Sequence, residues 1–355
     1  MNPNRPYAAL PFSTVLVSDL HLTDTARDAY RWDFFPWLLS LLRKPPFPVH
    51  FLCILGDLTD AKDFHSSRLA NRIVDAIVQL QHGSNLKRIY VLRGNHDGVD
   101  PDCPYFRFLG HLPNLQYIAV PWHEPIGGRE VLFLPHTRNP KEDWVFVEFT
   151  DADIVLMHAT VQGSVAESGV ELDGVGHGYF AGCRGQIYSG DVHVPQKVGK
   201  VTYVGAPYPV RFGDKFEGGV TLLQNGRFHS APRFPTLRRW SLKIHSPQEL
   251  QDVEVKEGDQ CKVFLELDRS EYGDWNQYKK EVMEWAAGRK VEVVGLELVA
   301  KAEKPSIRPN IRATTTTHQT PQQVLASHCE RKGIQNGLRE TGQKFLCQAL
   351  DIQGR

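Results

Sequence analysis

Five polar clusters along the chain combine carboxylate, imidazole and amide side chains. Each follows a short hydrophobic run that predicts a β-strand. The clusters are Asp19 with His21, Asp57 after Gly56, Asn95-His96-Asp97 after Gly94, His158 alone, and Asp191 with His193 after Gly190. Because the carboxyl ends of strands in an α/β sheet converge on one crevice, clusters that are far apart in sequence are expected to meet there.

The candidate ligands offer oxygen and nitrogen donors and no thiolate. This set suits hard to borderline cations such as Mn²⁺, Mg²⁺, Fe²⁺ or Zn²⁺. Seven such ligands are too many for one ion and suitable for two, with the two oxygens of Asp57 as the candidate bridge. Two cations about 3.5–4 Å apart can clamp a phosphodiester, generate hydroxide and stabilise the leaving oxygen. The sequence therefore predicts a two-cation phosphoesterase.

Strand and helix patterns alternate through the first 150 residues, which is typical of α/β architecture with packed sheets. Helix-like stretches cover Arg31–Leu42 and Ser66–Gln81, and the second carries a core-facing apolar stripe. The strand-like runs of this region are Ser13–Ser18, Val49–Leu55, Arg88–Leu92, Glu130–Leu134 and Asp153–Met157.

The pattern changes after Gly174, where short strands alternate with Gly and Pro. A Pro- and Arg-rich stretch, Ala231–Arg239, predicts a domain boundary. A strand–helix–strand pattern then extends to about residue 300, and a Thr-rich stretch with two prolines predicts a linker. We predict a catalytic domain at 1–235, a small α+β domain at 236–302, a linker at 303–320 and a helical C-terminal segment at 321–355.

Composition restricts the partners and the compartment. Among 355 residues, Lys plus Arg and Asp plus Glu both number 41, so the basic excess usual in nucleic-acid binders is absent. Any DNA affinity must then come from a local basic face or from a partner. The six cysteines form no C-x-x-C pair, which favours reduced thiols in an intracellular protein. Without a signal-peptide pattern or a membrane span, we expect a cytoplasmic protein.

The five clusters, in this order, resemble the five-motif signature of the calcineurin-like metallophosphoesterases. The resemblance covers roughly residues 14–225 and implies an α-β-β-α sandwich of two packed sheets flanked by helices. Three segments are most similar to the SbcD-type DNA repair nucleases, including their bacteriophage relatives: Gly56–Asp60, Gly190–Gln196 and Tyr203–Gly213.

The subfamily resemblance implies further properties. The small domain at 236–302 would be a capping domain, and the segment at 321–355 would dock on the coiled coil of an SbcC-type ATPase. It also implies DNA as substrate and a homodimer, in the host cytoplasm if the protein comes from a phage.

The resemblance also implies a role for each site residue. Asp19, His21 and His193 would bind metal one. Asn95, His158 and Asp191 would bind metal two, Asp57 would bridge the ions, and His96 would protonate the leaving group. Two Mn²⁺ ions are expected, with Mg²⁺ as the alternative.

One site residue departs from the family pattern. The family usually has His where this chain has Asp191. A carboxylate there favours Mn²⁺ or Mg²⁺ over Zn²⁺, or else marks weakened metal binding.

Several residues keep more than one interpretation. Asp60 is a candidate for a residue that contacts the metal ligands without binding a metal itself. Asp97 either orients a ligand or only completes its turn. Arg184 and Arg211 are candidates for DNA phosphate contacts or are solvated surface charges. His136 is interpreted as a surface or structural residue.

Three functions compete at this stage. The first is a DNA exonuclease or endonuclease subunit that acts in repair or recombination. The second is a small-molecule or protein phosphatase, or a cyclic-nucleotide phosphodiesterase, on the same core. The third is a non-catalytic scaffold with weak metal affinity.

Overall fold

The structure, a computed structural model, describes residues 10–100, 102–144 and 149–301. The chain divides into two compact units, Met1–Lys301 and Ala302–Arg355. The predicted linker at 303–320 and the predicted C-terminal segment at 321–355 lie outside the described residues.

Strands dominate the described residues. They are β1 Thr14–Val17, β2 Phe51–Ile54, β3 Arg88–Leu92, β4 Leu115–Ile118, β5 Trp122–Ile126, β6 Arg129–Leu134, β7 Ile154–His158, β8 Ser164–Val165, β9 Glu171–Leu172, β10 Gln186–Gly190, β11 Gln196–Val198, β12 Val201–Tyr203, β13 Thr221–Gln224, β14 Arg227–Ser230, β15 Arg239–Ile244, β16 Gln260–Leu267 and β17 Glu292–Ala300. The α-helices are α1 Phe34–Arg43, α2 Ser67–Gly83, α3 Pro140–Asp143 and α4 Trp275–Arg289.

Two six-stranded sheets form the larger part of the structure. The first has the order β14-β13-β1-β2-β3-β4, and β1 to β4 run parallel. The second has the order β11-β12-β10-β7-β6-β5, and its four central strands run parallel. In each sheet the parallel strands therefore end at a common edge.

Alternating side chains give each strand two buried faces. Leu16 of β1 packs between the two sheets, whereas its neighbours Val15 and Val17 pack toward α1 and α2. Across the interface between the sheets, the rings of Tyr90 and Phe133 stack with centroids 5.0 Å apart. The outer face of the second sheet buries a separate apolar cluster. Two sheets flanked by helical segments form the predicted α/β sandwich, and this fold class is confirmed.

The helices agree with their sequence patterns, with one difference at α1. Ser66 caps α2, because its side chain accepts a hydrogen bond from the Leu69 backbone N–H at 3.0 Å. The predicted helix at Arg31–Leu42 is split into a 3₁₀ turn over Ala26–Asp33 and α1 from Phe34. A buried ion pair between Arg31 and Asp28 lies within that turn.

A three-stranded sheet, β15-β16-β17, follows the sandwich. All three strands are parallel, and α4 connects β16 to β17. Val282 and Trp285 of α4 pack on the apolar face of this sheet. Strand β15 begins at Arg239, within the stretch that the sequence predicts only as a boundary. We call residues 239–300 the cap; the exact limits of the predicted domains stay a prediction.

Helices long and apolar enough to cross a membrane are not found among the described residues.

Candidate metal centre

The predicted ligands lie at the carboxyl ends of five parallel strands. Asp19 and His21 follow β1, Asp57 follows β2 and Asn95 follows β3, all in the first sheet. The other ligands belong to the second sheet, where His158 ends β7, and Asp191 and His193 follow β10. The centre is therefore formed where the same edges of both sheets meet.

The backbone at the ligands is unusual. Asp19, His21, Asp57 and Asp191 have positive φ angles of 56°, 42°, 55° and 81°. They are four of the seven non-glycine residues with positive φ in the part of the chain that the structure describes. Such conformations are disfavoured for residues with a Cβ and concentrate at functional sites. The backbone turns sharply at these positions, and the side chains converge.

Glycines make this convergence possible. A Cβ on Gly56 would overlap the ring of His158, and one on Gly94 would overlap the Asp57 carboxylate. A Cβ on Gly190 would overlap the hydroxyl of Ser18 and the carbonyl of Leu55. The glycines that precede three of the five polar clusters therefore allow two chain segments to approach within contact distance.

The ligands predicted for metal one lie together. Asp19, His21 and His193 are buried and offer ligand atoms within 4.8 Å of one another. The Nε2 atoms of His21 and His193 are 3.0 Å apart. Asp57 Oδ2 lies 3.5 Å from His21 Nε2, so the predicted bridging carboxylate borders this group.

Two of the residues predicted for metal two, His158 and Asp191, lie on the side of the other Asp57 oxygen. His158 Nε2 is 3.4 Å from Asp57 Oδ1 and 3.6 Å from Asp191 Oδ1. His158 Nδ1 lies 2.6 Å from the Leu55 carbonyl, an acceptor, so Nδ1 carries a proton, and in the neutral ring the Nε2 lone pair faces the carboxylates. Asn95 Oδ1 is buried and accepts no hydrogen bond.

The donor set fits cations. Asp19 Oδ2, Asn95 Oδ1 and His158 Nε2 are buried without hydrogen-bond partners, and all three can donate electron pairs. Burial alone would lower the pKa of His158, but Asp57 and Asp191 outweigh it and raise this pKa well above its usual value. Burial raises the pKa of Asp57. These directions indicate an excess of buried negative charge, which divalent cations would neutralise.

His96 and Asp60 lie beside His21. His96 Nδ1 is 2.6 Å from the Asp60 carbonyl, and its ring is edge-on to His21 with centroids 4.9 Å apart. Asp60 Oδ1 is 3.4 Å from His21 Nδ1, and this contact lowers the pKa of Asp60 to about 2. Asp60 is therefore placed to orient the His21 ring.

Asp97 joins two of the turns. Its fully buried carboxylate accepts hydrogen bonds from the backbone N–H groups of Asp57, Leu58 and Gly94, at 3.0, 2.9 and 2.6 Å. Of the two interpretations of Asp97, the geometry favours an orienting role, because the carboxylate fixes the backbone of the bridging ligand.

Two polar partners of the ligands had no signal in the sequence patterns. The Thr160 hydroxyl donates a short hydrogen bond to Asp191 Oδ2. Glu167 Oε1 forms a short ion pair with His193 Nδ1, which lowers the pKa of Glu167 to about 2. Thr160 lies two residues beyond His158, whereas Glu167 lies in a Gly- and Ser-containing turn. Only the three-dimensional structure connects the two residues with the ligands.

Two cavities border the centre. One, of about 500 Å³, is lined by His21, His96 and His193 together with Lys262 and Gly295 of the cap. The other, of about 890 Å³, is lined by Asp191, Thr160 and His136. His136, interpreted from the sequence as a surface or structural residue, therefore lies beside the metal centre. Its ring centroid is 6.0 Å from that of His158.

Buried ionic contacts hold the cap beside the first cavity. Asp28 Oδ1 lies 3.2 Å from Arg31 Nη2 and 3.1 Å from Arg239 Nη2. Arg239 Nη1 also donates to the Val210 carbonyl at 2.7 Å. Gln260 of the cap donates to the Arg27 carbonyl at 2.7 Å.

The two candidate phosphate contacts have different positions. Arg211 is exposed and lines the cavity that contains His96. Arg184 precedes β10, whereas Asp191 follows it, so the whole five-residue strand, roughly 16 Å long, lies between them. The structure brings Arg211 to the centre and leaves Arg184 at the opposite end of the strand.

A family model described as calcineurin-like phosphoesterase matches residues 12–195 of this chain. The chain belongs to the calcineurin-like phosphoesterase family. The matched residues include all seven candidate ligands and His96. Among curated proteins, none matches the chain significantly.

Membership of this family indicates which reaction the metal centre supports. Calcineurin-like phosphoesterases hydrolyse phosphoesters with metal ions, typically a dinuclear pair, and this chain has buried clusters of suitable ligands. Metal-dependent hydrolysis of phosphoesters is thus the activity that the family shares, whereas the substrate depends on the residues that surround the centre.

Proposed function

We propose that the protein is a two-metal phosphodiesterase that cuts DNA, as a nuclease subunit for DNA end processing, repair or recombination. The observation that carries this proposal is the pair of cavities that border the two halves of the metal centre. A phosphodiester has a chain on both sides of the scissile phosphate and needs room on both sides. A phosphomonoester needs room on one side only.

The charges around the smaller cavity support a polyanionic substrate. Arg27, Arg211 and Lys262 line it, and Lys262 comes from the cap. Exposed Arg and Lys side chains bind phosphates without reading sequence. Asp28, Asp60 and Glu297 also line this cavity, but its five Arg and Lys residues outnumber them, so the cavity has a local basic excess that the chain as a whole lacks.

The chain's own residues perform defined steps in this reaction. Two divalent cations, proposed as Mn²⁺ or Mg²⁺, would bind at the seven ligands, supply a hydroxide nucleophile and neutralise phosphate charge. His96 directs Nδ1–H to the Asp60 carbonyl, so in the imidazolium form the second proton, on Nε2, would be the one transferred to the leaving oxygen, and the neutral ring would remain. Arg211 would hold a flanking phosphate at the cavity wall.

Partner and assembly follow from the resemblance. We propose that an SbcC-type coiled-coil ATPase binds the segment 321–355 and supplies additional DNA contacts, and that the subunit forms a homodimer.

The test compares a diester, a duplex and a monoester. Purified protein would be incubated with bis-p-nitrophenyl phosphate, labelled linear duplex DNA and p-nitrophenyl phosphate, with Mn²⁺, Mg²⁺ or EDTA. We expect Mn²⁺-dependent cutting of both diesters. Asp57→Ala should abolish it because both ions lose their shared ligand, whereas Asp33→Ala, an exposed change before α1, should not.

Contrary outcomes select the alternatives. Hydrolysis of monoesters alone, with the duplex left intact even with the ATPase present, would identify a phosphatase. Absence of all hydrolysis from a protein that binds fewer than two ions would identify a scaffold.

A further inference from the structure

The small hairpin β8-β9 carries Glu167 in its turn, and this side chain reaches a metal ligand. Glu167 Oε1 forms its short ion pair with His193 Nδ1, and the side chains are only 14% and 7% exposed. Within the turn, the Ala166 N–H donates to Val170 O at 2.9 Å and the Gly169 N–H to Ala166 O at 2.9 Å. These backbone bonds close the turn without the Glu167 side chain, so the carboxylate is free to act on His193.

The contact determines which nitrogen of His193 can bind a cation. A carboxylate accepts hydrogen bonds and cannot donate them, so the His193 proton must be on Nδ1. When the ring is neutral, Nε2 therefore carries the lone pair that can bind a cation, and it lies 3.0 Å from Nε2 of His21, the other imidazole of this group. A carboxylate on the far nitrogen of a ligating imidazole fixes the ring orientation and increases its basicity.

A second side chain fixes the hairpin. The Gln196 amide pairs with both backbone groups of Val165: it accepts from the Val165 N–H at 2.9 Å and donates to the Val165 carbonyl at 2.7 Å. Gln196 lies three residues after His193, at the start of β11. The segment Gly190–Gln196 therefore contains both the ligand and the side chain that secures the ligand's partner.

We propose that Glu167 is a positioning residue for the ion held by Asp19, His21 and His193, and that Gln196 fixes the hairpin that presents it. The proposal rests on the two-metal centre of the proposed function. It assigns control of one ion to a hairpin that lies outside the seven predicted ligands.

The experiment measures metal binding in the full-length protein. Protein stripped with EDTA would be titrated with Mn²⁺, and bound ions counted by calorimetry and by loss of the free Mn²⁺ EPR signal. The wild type should bind two ions. In Glu167→Ala one step should weaken about 10–100-fold, and in Gln196→Ala the same step should weaken less. The metal-free Glu167→Ala protein should remain folded, so the weaker step is measured on an intact centre.

Two controls identify the mechanism. Glu171→Ala removes an exposed carboxylate from the same hairpin and should leave both steps unchanged. In a His193→Ala background, Glu167→Ala should have no further effect, because the two side chains act as one unit.

Several results would overturn the proposal. They are wild-type affinities in Glu167→Ala, a metal-free variant that no longer folds, a full effect that persists without His193, or a wild type that binds fewer than two ions. Failure of the nuclease proposal is separate. If Glu167→Ala weakens one step while the wild type cuts no DNA, the positioning role stands and the substrate proposal is wrong.

Discussion

The two sheets support their ligands in different ways. In the first sheet, the segments after β1 and β2 hold each other through the backbone: the Asp19 N–H donates to Gly56 O at 3.1 Å and the His21 N–H to Asp57 O at 3.0 Å. In the second sheet, Thr160 and Glu167 hold Asp191 and His193 through side chains.

The difference concerns where the supporting residues lie in the sequence. In the first half of the centre, the ligands that follow strands of the first sheet are supported by the backbone of their own motifs and by Asp97 from the Gly94–Asp97 motif. In the second half, the ligands of the second sheet are supported by residues outside the motifs. Changes to the support of the first half should therefore damage the fold and both ions, whereas changes to the support of the second half should damage one ion at a time.

The largest expected effect is that of Asp97→Ala. Removing its carboxylate leaves three buried N–H donors without acceptors, and each loss costs about 1–3 kcal/mol. We expect the free energy of unfolding to fall by roughly 3–5 kcal/mol, with loss of both ions. Urea unfolding and metal analysis measure these effects, with the exposed Asp102→Ala as control. Retention of both ions at full stability would remove the proposed difference between the halves.

A smaller effect, confined to catalysis, is expected for His96→Asn. The side chain borders His21 but is not among the seven predicted ligands, so both ions and the melting temperature should be retained. The turnover number should fall about 10²–10⁴-fold if His96 is the general acid. Steady-state kinetics with the labelled linear duplex, whose leaving alkoxide needs a proton, measure this, with His123→Asn on β5 as control. A leaving group that needs no proton should reduce the difference, and equal losses for good and poor leaving groups would exclude an acid role.

The smallest effect is expected for Thr160→Val, which keeps the side-chain shape and removes the hydrogen bond to Asp191. A net loss of about 1 kcal/mol corresponds to an approximately fivefold weaker second ion, and the first ion should be unaffected. Mn²⁺ titration distinguishes the two steps, with Thr202→Val on β12 as control. Equal weakening of both Mn²⁺-binding steps would show that the support of Asp191 does not act on the second ion alone.

Sequence patterns predicted α/β architecture with packed sheets, and polar clusters at the strand ends, because both depend on local order; the sandwich itself came from the family resemblance. Strand periodicity and the polar cluster after each strand are visible in Thr14–His21 and Ile89–Asp97. The patterns missed β4 and β5, and β15, whose Arg239 pairs with the distant Asp28, was predicted only as part of a boundary. Glu167 and Thr160 were missed because they act through side-chain contacts that no periodicity encodes.

The glycines at the strand ends have a consequence for the mutational tolerance of the chain. Gly56, Gly94 and Gly190 each lie against another segment, where even a methyl group would overlap a neighbour. In a complete substitution scan, these three positions should be as intolerant as the ligands, although they donate no electron pair. A descendant of this chain that lost its chemistry but kept its shape would be expected to lose the carboxylates and imidazoles first and to retain the glycines.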